Sequence, residues 1–203
     1  MKYRRYTGEF LSRAGVVWRV DIMQEAEAEF DTVGVLEFPA ETPLCIEWGR
    51  EDKESVVLGS TATLKIISPG DRTYEDLYTI EVGRIRLDVY RNNLLYWSGA
   101  IDPEFYEEPY EQANGYEVSL TFSDFGILDR LKYDLTGMRT LREIVEYALS
   151  AAGLLYGSID VRYVSTQFEN GTTITGGAIS VRSENFVDED GEASTLYEVL
   201  EGI

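Results

Sequence analysis

The chain has 203 residues, 44% hydrophobic, with 37 acidic against 18 basic residues and a formal charge of −19. That size and apolar content support one medium domain or two small ones with a real core, and they argue against wholesale disorder. The charge repels nucleic-acid phosphate and anionic lipid, and with no histidine and a single cysteine, Cys45, imidazole catalysis, intramolecular disulfides and the usual zinc sites all lose a required group.

The opening segment reads as a hairpin. Val16, Trp18, Val20 and Ile22 alternate with Val17, Arg19 and Asp21, the period of a half-buried strand, and Arg13-Ala14-Gly15 connects back to "RRYTGEFL". Basic residues Lys2, Arg4, Arg5, Arg13 and Arg19 crowd this region, an arrangement suited either to head-to-tail contact with acidic partners or to ordinary strand surface charge. "PLCIEW" is a short strand closed by Gly49, with Cys45 expected as a buried structural thiol. After the charged loop "REDKES", a longer strand places Ala62, Leu64 and Ile66 on one face until Pro69-Gly70 stops it. "DRTYEDLYTI" is a short helical turn or an acidic loop.

"GRIRLDVYRNNLLYWSGAID" gives the clearest hairpin. Ile85, Leu87 and Val89 share a face, and Asn92-Asn93 can supply the two positive-φ residues of a type I′ turn. From Asp102 to Glu111 lie five acidic residues and three aromatics, bracketed by Pro103 and Pro109. Paired carboxylates could serve glycoside hydrolysis, and Trp97, Tyr106 and Tyr110 could stack on a sugar, but a long connection docked on its own domain or on a neighbour fits the composition better. Tyr116, Val118, Leu120 and Phe122 then mark another amphipathic strand, and "DFGILDRL" a short closing helix with Asp124 as possible N-cap.

Beyond Lys132 the pattern becomes helical. Thr140 and Glu143 form a capping box ahead of Leu141, Ile144, Val145, Ala148, Leu149 and Ala152, and Gly153 sits at the C-terminal glycine position. "SIDVRYV" suggests a strand, "ENGTTITGGAIS" a loop or weak hairpin, and "SENFVDEDGEAS" an acidic linker. "DEDGE" opens like a calcium loop, but its twelfth position is Val199 where a bidentate Glu is required. "STLYEVLEGI" begins a second helix capped by Ser194 or Thr195, ending as though the chain were the N-terminal part of a longer polypeptide.

These elements predict an α+β fold, mainly antiparallel β: a small β-barrel or split barrel over residues 1–134, then a helix-containing second subdomain over 135–203, incomplete at its C-terminus. The "YTGEF" hairpin, "IEW", Gly59–Leu64, "IRLDVYRNNLLYWSGAIDPEFYEEPY", "YEVSLTFSDFGILDRL" and "TLREIVEYALSAAGL" occur in that order. This order resembles the N-terminal region of tail proteins encoded by phages and prophages of gut bacteroidetes, of the baseplate-hub or tail-tip type. The chain departs from the hub pattern at "SDFGILDRL", where a Gly-Leu pair is expected. The resemblance implies a structural virion protein made in the bacterial cytoplasm without a signal peptide. It implies homo-oligomers, commonly trimers, joined to other tail proteins, with no catalytic residue, cofactor or metal, no nucleic acid and no membrane insertion. On this reading Phe105, Tyr106, Glu107, Glu108 and Tyr110 dock the acidic connection on its own barrel or on a neighbour, the carboxylates facing a basic edge of Arg4, Arg5 and Arg13. A carbohydrate-binding module using the Trp97–Tyr110 aromatics is the alternative, and a carboxylate glycosidase a more distant one.

Overall fold

The computed structural model describes residues 1–49, 57–70, 73–81, 83–102, 115–153, 165–167 and 171–203. They fall into two compact units, one drawn from residues up to 127 and one mainly from residues 128–153 and 171–203.

The first unit is mainly antiparallel β. Strands β1 (Lys2–Leu11) and β2 (Val17–Glu25) form the opening hairpin, paired from Lys2–Glu25 to Leu11–Val17 with one irregularity between Arg4 and Tyr6. A two-residue strand, β3 (Gly34–Val35), lies parallel to β1, and β4 (Leu44–Trp48) lies antiparallel to β5 (Ser60–Ser68). The second hairpin joins β6 (Ile85–Arg91) to β7 (Leu94–Ile101), with Asn92 and Asn93 at φ 49° and 65° as the turn requires. β8 (Tyr116–Ser123) completes one sheet of order β3-β1-β2-β6-β7-β8-β5-β4.

The sheet curls far enough that one segment reaches both of its ends. The Leu36 N–H donates to the Thr7 carbonyl of β1, and the Ile67 N–H of β5 donates to the Glu37 carbonyl. The seam is held there by isolated bonds, and β7 meets β8 at Ala100–Ser123 and Ile101–Phe122, continued by the Asp102 N–H donating to the Thr121 carbonyl.

The alternation read from the sequence decides the core. Val20, Ile22, Ala62, Leu64, Ile66, Leu87, Val89, Val118, Leu120 and Phe122 are fully buried in one cluster. The "TYEDL" segment is a 3-10 turn over Glu75–Leu77 that adds Tyr74 and Leu77 to this cluster. Trp97 also belongs to it. Its indole N–H donates to Ser60 Oγ at 2.8 Å, and the Ser60 hydroxyl donates to Asp124 at 2.6 Å. Its ring closes on the place a Cβ on Gly99 would take, so only glycine fits at that position.

A 3-10 turn, Gly126–Arg130, stands where the sequence suggested an N-capped helix. Asp124 accepts from Ser60 and Phe125 N–H instead, because its carboxylate is committed to β5. Strand β9 (Met138–Thr140) leads into α1 (Leu141–Ala151), which carries both arms of the expected capping box and buries Ile144 and Ala148. Gly153 has φ 65° just past the helix end. Short strands β10 (Ser165–Gln167) and β11 (Thr173–Thr175) pair antiparallel, and β12 (Ser180–Arg182) pairs antiparallel with β9. The stretch read as an acidic linker is ordered: a 3-10 turn over Ser183–Phe186 sets Phe186 edge-on to Tyr133 at 5.2 Å, and a tight turn at Gly191 closes on Asp188. Helix α2 (Leu196–Gly202) is capped by Thr195 and Glu198. The strand expected from "SIDVRYV" lies outside the described residues.

Candidate interaction site

Polar and charged residues of β1, β2, β6 and β7 form a row on the face turned away from the core. Thr7, Asp21, Asp88 and Ser98 stand in direct cross-strand register. Two carboxylates opposite each other repel, and both here are only 1% exposed, so the row holds only because each is matched. Arg86 grips Asp88 with two bonds, at 2.8 and 2.9 Å, and the Ser98 hydroxyl donates to the same carboxylate at 2.8 Å. Asp21 accepts from the Thr7 hydroxyl at 2.6 Å, with Arg4 at 3.2 Å and Arg19 at 3.3 Å. Arg19 also lies over the Tyr90 ring. Burial, then the nearby Asp88 charge, pushes the Tyr90 hydroxyl up, and burial together with Arg86 pushes the Lys2 ammonium down.

Of the basic residues expected to present an edge, Arg4 and Arg5 are therefore occupied within their own unit. Arg5 donates to Asp76 at 2.7 Å and covers the Phe30 and Tyr6 rings. The Asp76 bond holds the Arg5 guanidinium above its ordinary value, while burial and then Asp76 push the Tyr6 hydroxyl up as well. Arg13 remains exposed at the tip of the first hairpin. Phe105, Tyr106, Glu107, Glu108 and Tyr110 lie outside the described residues. Trp97, proposed as a sugar platform, is buried in the core and offers no face.

Beside Arg13 the surface opens into a groove of about 600 Å³. One wall is the β1–β2 hairpin with Phe10, Arg13 and Trp18, and the other is β4 with the segment leading into it, including Glu41 and Trp48. Tyr96 of β7 meets Trp18 edge to face at 5.1 Å, and Phe10 meets Phe38 at 5.2 Å. Trp48 is 59% exposed and Tyr96 44%, so two of these rings present area to solvent. The sequence signals were present but split: Trp18 and Trp48 read as strand residues, and nothing in their spacing says that β4 and the first hairpin border one groove.

Cys45, expected as a buried thiol, is exposed on β4. The reason is register. Leu44 and Ile46 turn toward the core, which sends Cys45 and Glu47 outward.

Among the described residues no group of three or more His, Cys, Asp or Glu is placed to hold a metal ion, and no helix is long and apolar enough to cross a membrane. No family model, curated protein or solved structure matches the chain.

Proposed function

We propose that this chain is a structural tail-assembly protein, a hub-like module of a phage tail that makes contacts between subunits and with the tail tube and performs no catalysis. The sequence resemblance suggests the setting. The observation that carries the reading is the contrast within the first unit between ion pairs closed on themselves and an open aromatic groove beside an exposed Arg13. Buried carboxylates bound by arginine and hydroxyl partners suit a rigid scaffold, whereas exposed aromatic rings flanking an arginine suit a protein contact. On this reading the chain belongs to the virion, assembles with copies of itself, as a trimer in the resemblance, and binds other tail proteins.

The test is direct. Particles induced from the host and purified are digested for mass spectrometry, and a strain lacking the gene is imaged by electron microscopy. The chain should be present in particles and the deletion strain should make defective tails; intact tails without the chain would overturn the proposal.

A second reading, a carbohydrate-binding module, draws support from the groove, where Trp48 and Tyr96 stand near Glu41 and Arg13. It transfers the platform from Trp97 to Trp48, and Trp48→Ala should then abolish binding on a glycan array.

A further inference from the structure

Among the described residues strand β4 ends the sheet order and neighbours only β5. The bonds flanking that pairing fix which backbone groups it uses. Lys65 N–H donates to the Pro43 carbonyl, and Gly49 N–H donates to the Gly59 carbonyl. In an antiparallel ladder the hydrogen-bonded pairs alternate, so Pro43, Cys45, Glu47 and Gly49 point their backbone groups at β5. Leu44, Ile46 and Trp48 therefore point theirs at the open edge, and no backbone partner is found for them among the described residues. Natural edges are usually blunted by short length, charged side chains, proline or a bulge; β4 is five residues long with one charge, Glu47, and has no lysine, proline or bulge within the strand.

What completes such an edge is another extended polypeptide bearing apolar side chains at alternate positions. β4 itself has those properties. Antiparallel pairing of β4 with its own copy about a twofold axis is self-complementary, each strand supplying what the other lacks. Three registers are open. Centred on Glu47, the two carboxylates stand opposite each other and repel. Centred on Cys45, Trp48 is left without a partner. Centred on Ile46, all three unpaired residues are used: Leu44 faces the partner's Trp48, Ile46 faces its own copy, and Glu47 lies across from the partner's Cys45. The added strand then runs into the mouth of the groove, and its Leu44 side chain comes against the exposed Trp48 ring.

We propose that two copies of this chain associate by antiparallel pairing of β4 with β4, centred on Ile46, a twofold contact distinct from any threefold one, resting on the reading of the chain as a self-assembling structural protein. The edge gives specificity through main-chain bonds, and the groove side gives apolar burial. Because each copy carries −19, the pairing tightens as salt screens the repulsion between the two bodies.

The test uses sedimentation equilibrium of the full chain over a wide concentration range, with four proteins. The wild-type mass should rise toward twice the monomer, at lower concentration in higher salt. Ile46→Pro removes an N–H that points outward, leaves the β5 bonds intact, and should weaken association about tenfold or more. Cys45→Lys places an ammonium opposite the partner's Glu47 and should tighten it by about fivefold, while Cys45→Glu should loosen it by a similar factor, since each change acts twice across the axis. Thermal melting of each variant separates lost pairing from lost folding, and the two Cys45 variants, at an exposed position, decide the matter if Ile46→Pro does not fold. A wild-type chain that stays monomeric overturns the proposal, as does association indifferent to all three changes. Loosening by Cys45→Lys overturns the Ile46 register. A chain that dimerises through β4 yet is absent from phage particles would sink the tail reading and leave the edge pairing standing; a chain present in particles but monomeric in this experiment would do the reverse.

Discussion

Two parts of the same sheet handle polar groups in opposite ways. On β1, β2, β6 and β7, two buried carboxylates face each other and are closed off by Arg4, Arg19 and Arg86 with Thr7 and Ser98. On β4, half of the backbone donors and acceptors point outward beside exposed Trp48. The first region balances its charges from within, through ion pairs and hydroxyl donors, although Asp21 Oδ2 and Arg19 Nε meet as a charge pair at 3.3 Å with no aligned hydrogen bond. The second leaves Leu44, Ile46 and Trp48 with no backbone partner among the described residues, the edge proposed above to be completed by a second copy. The lesson is that formal charge in the sequence does not say which side chains are free: Arg4, Arg5 and Arg19 of the N-terminal basic cluster are paired within the unit, and the proposed contact lies on a strand with one charge, Glu47.

The largest effect expected on this contrast comes from Arg86→Ala. It strands Asp88, buried opposite Asp21, and should cost about 3–5 kcal/mol of stability. By the usual size scaling that lowers the melting temperature by roughly 10 °C. Calorimetry checks it, and a loss within about 1 kcal/mol would show that the row is solvated and the contrast false. Arg4→Ala should cost less, about 1 kcal/mol, because Arg19 and Thr7 still hold Asp21 and Arg4 is half exposed. Neither change should alter β4 pairing in the molecules that remain folded.

A smaller effect belongs to the helical unit. Thr140→Ala removes the cap that accepts from Glu143 N–H at 3.2 Å and should cost about 1 kcal/mol, seen as faster amide exchange in the first turn of α1. The smallest is a pH effect at the same place. The Thr140 backbone N–H, donating to Glu143 at 2.8 Å, holds that carboxyl below its ordinary range. A depressed carboxyl stabilises the fold above its unfolded value and loses that contribution as pH falls through the folded one. The first turn of α1 should therefore fray on acidification below the ordinary carboxylate range, and Glu143→Gln should remove the pH dependence. Fraying in the alkaline direction would contradict it.

Most of the β architecture was legible because alternation and turn chemistry are local: Ile85, Leu87 and Val89 with Asn92-Asn93 specify a hairpin without outside help. Thr140 with Glu143, and Gly153, specify α1 in the same way. What was not legible depends on which strands become neighbours. Asp21 and Asp88 are 67 positions apart and become opposed only through the β2–β6 pairing, and the "SENFVDEDGEAS" stretch reads as solvent-loving until Phe186 is seen against Tyr133. Cys45 read as buried because its strand is apolar, yet register, not composition, sets its face. The candidate site was the least legible of all, since a groove between β4 and the first hairpin has no signature in either segment.

Amide hydrogen exchange at β4, resolved residue by residue and followed as the concentration of the full chain rises, tests the central claim most directly. In dilute solution Cys45 and Glu47 should exchange slowly, being bonded to β5, and Leu44, Ile46 and Trp48 quickly. On association those three amides should become slow together. Protection of all five in the dilute chain, or a rise in mass that leaves Leu44, Ile46 and Trp48 fast, would contradict the account.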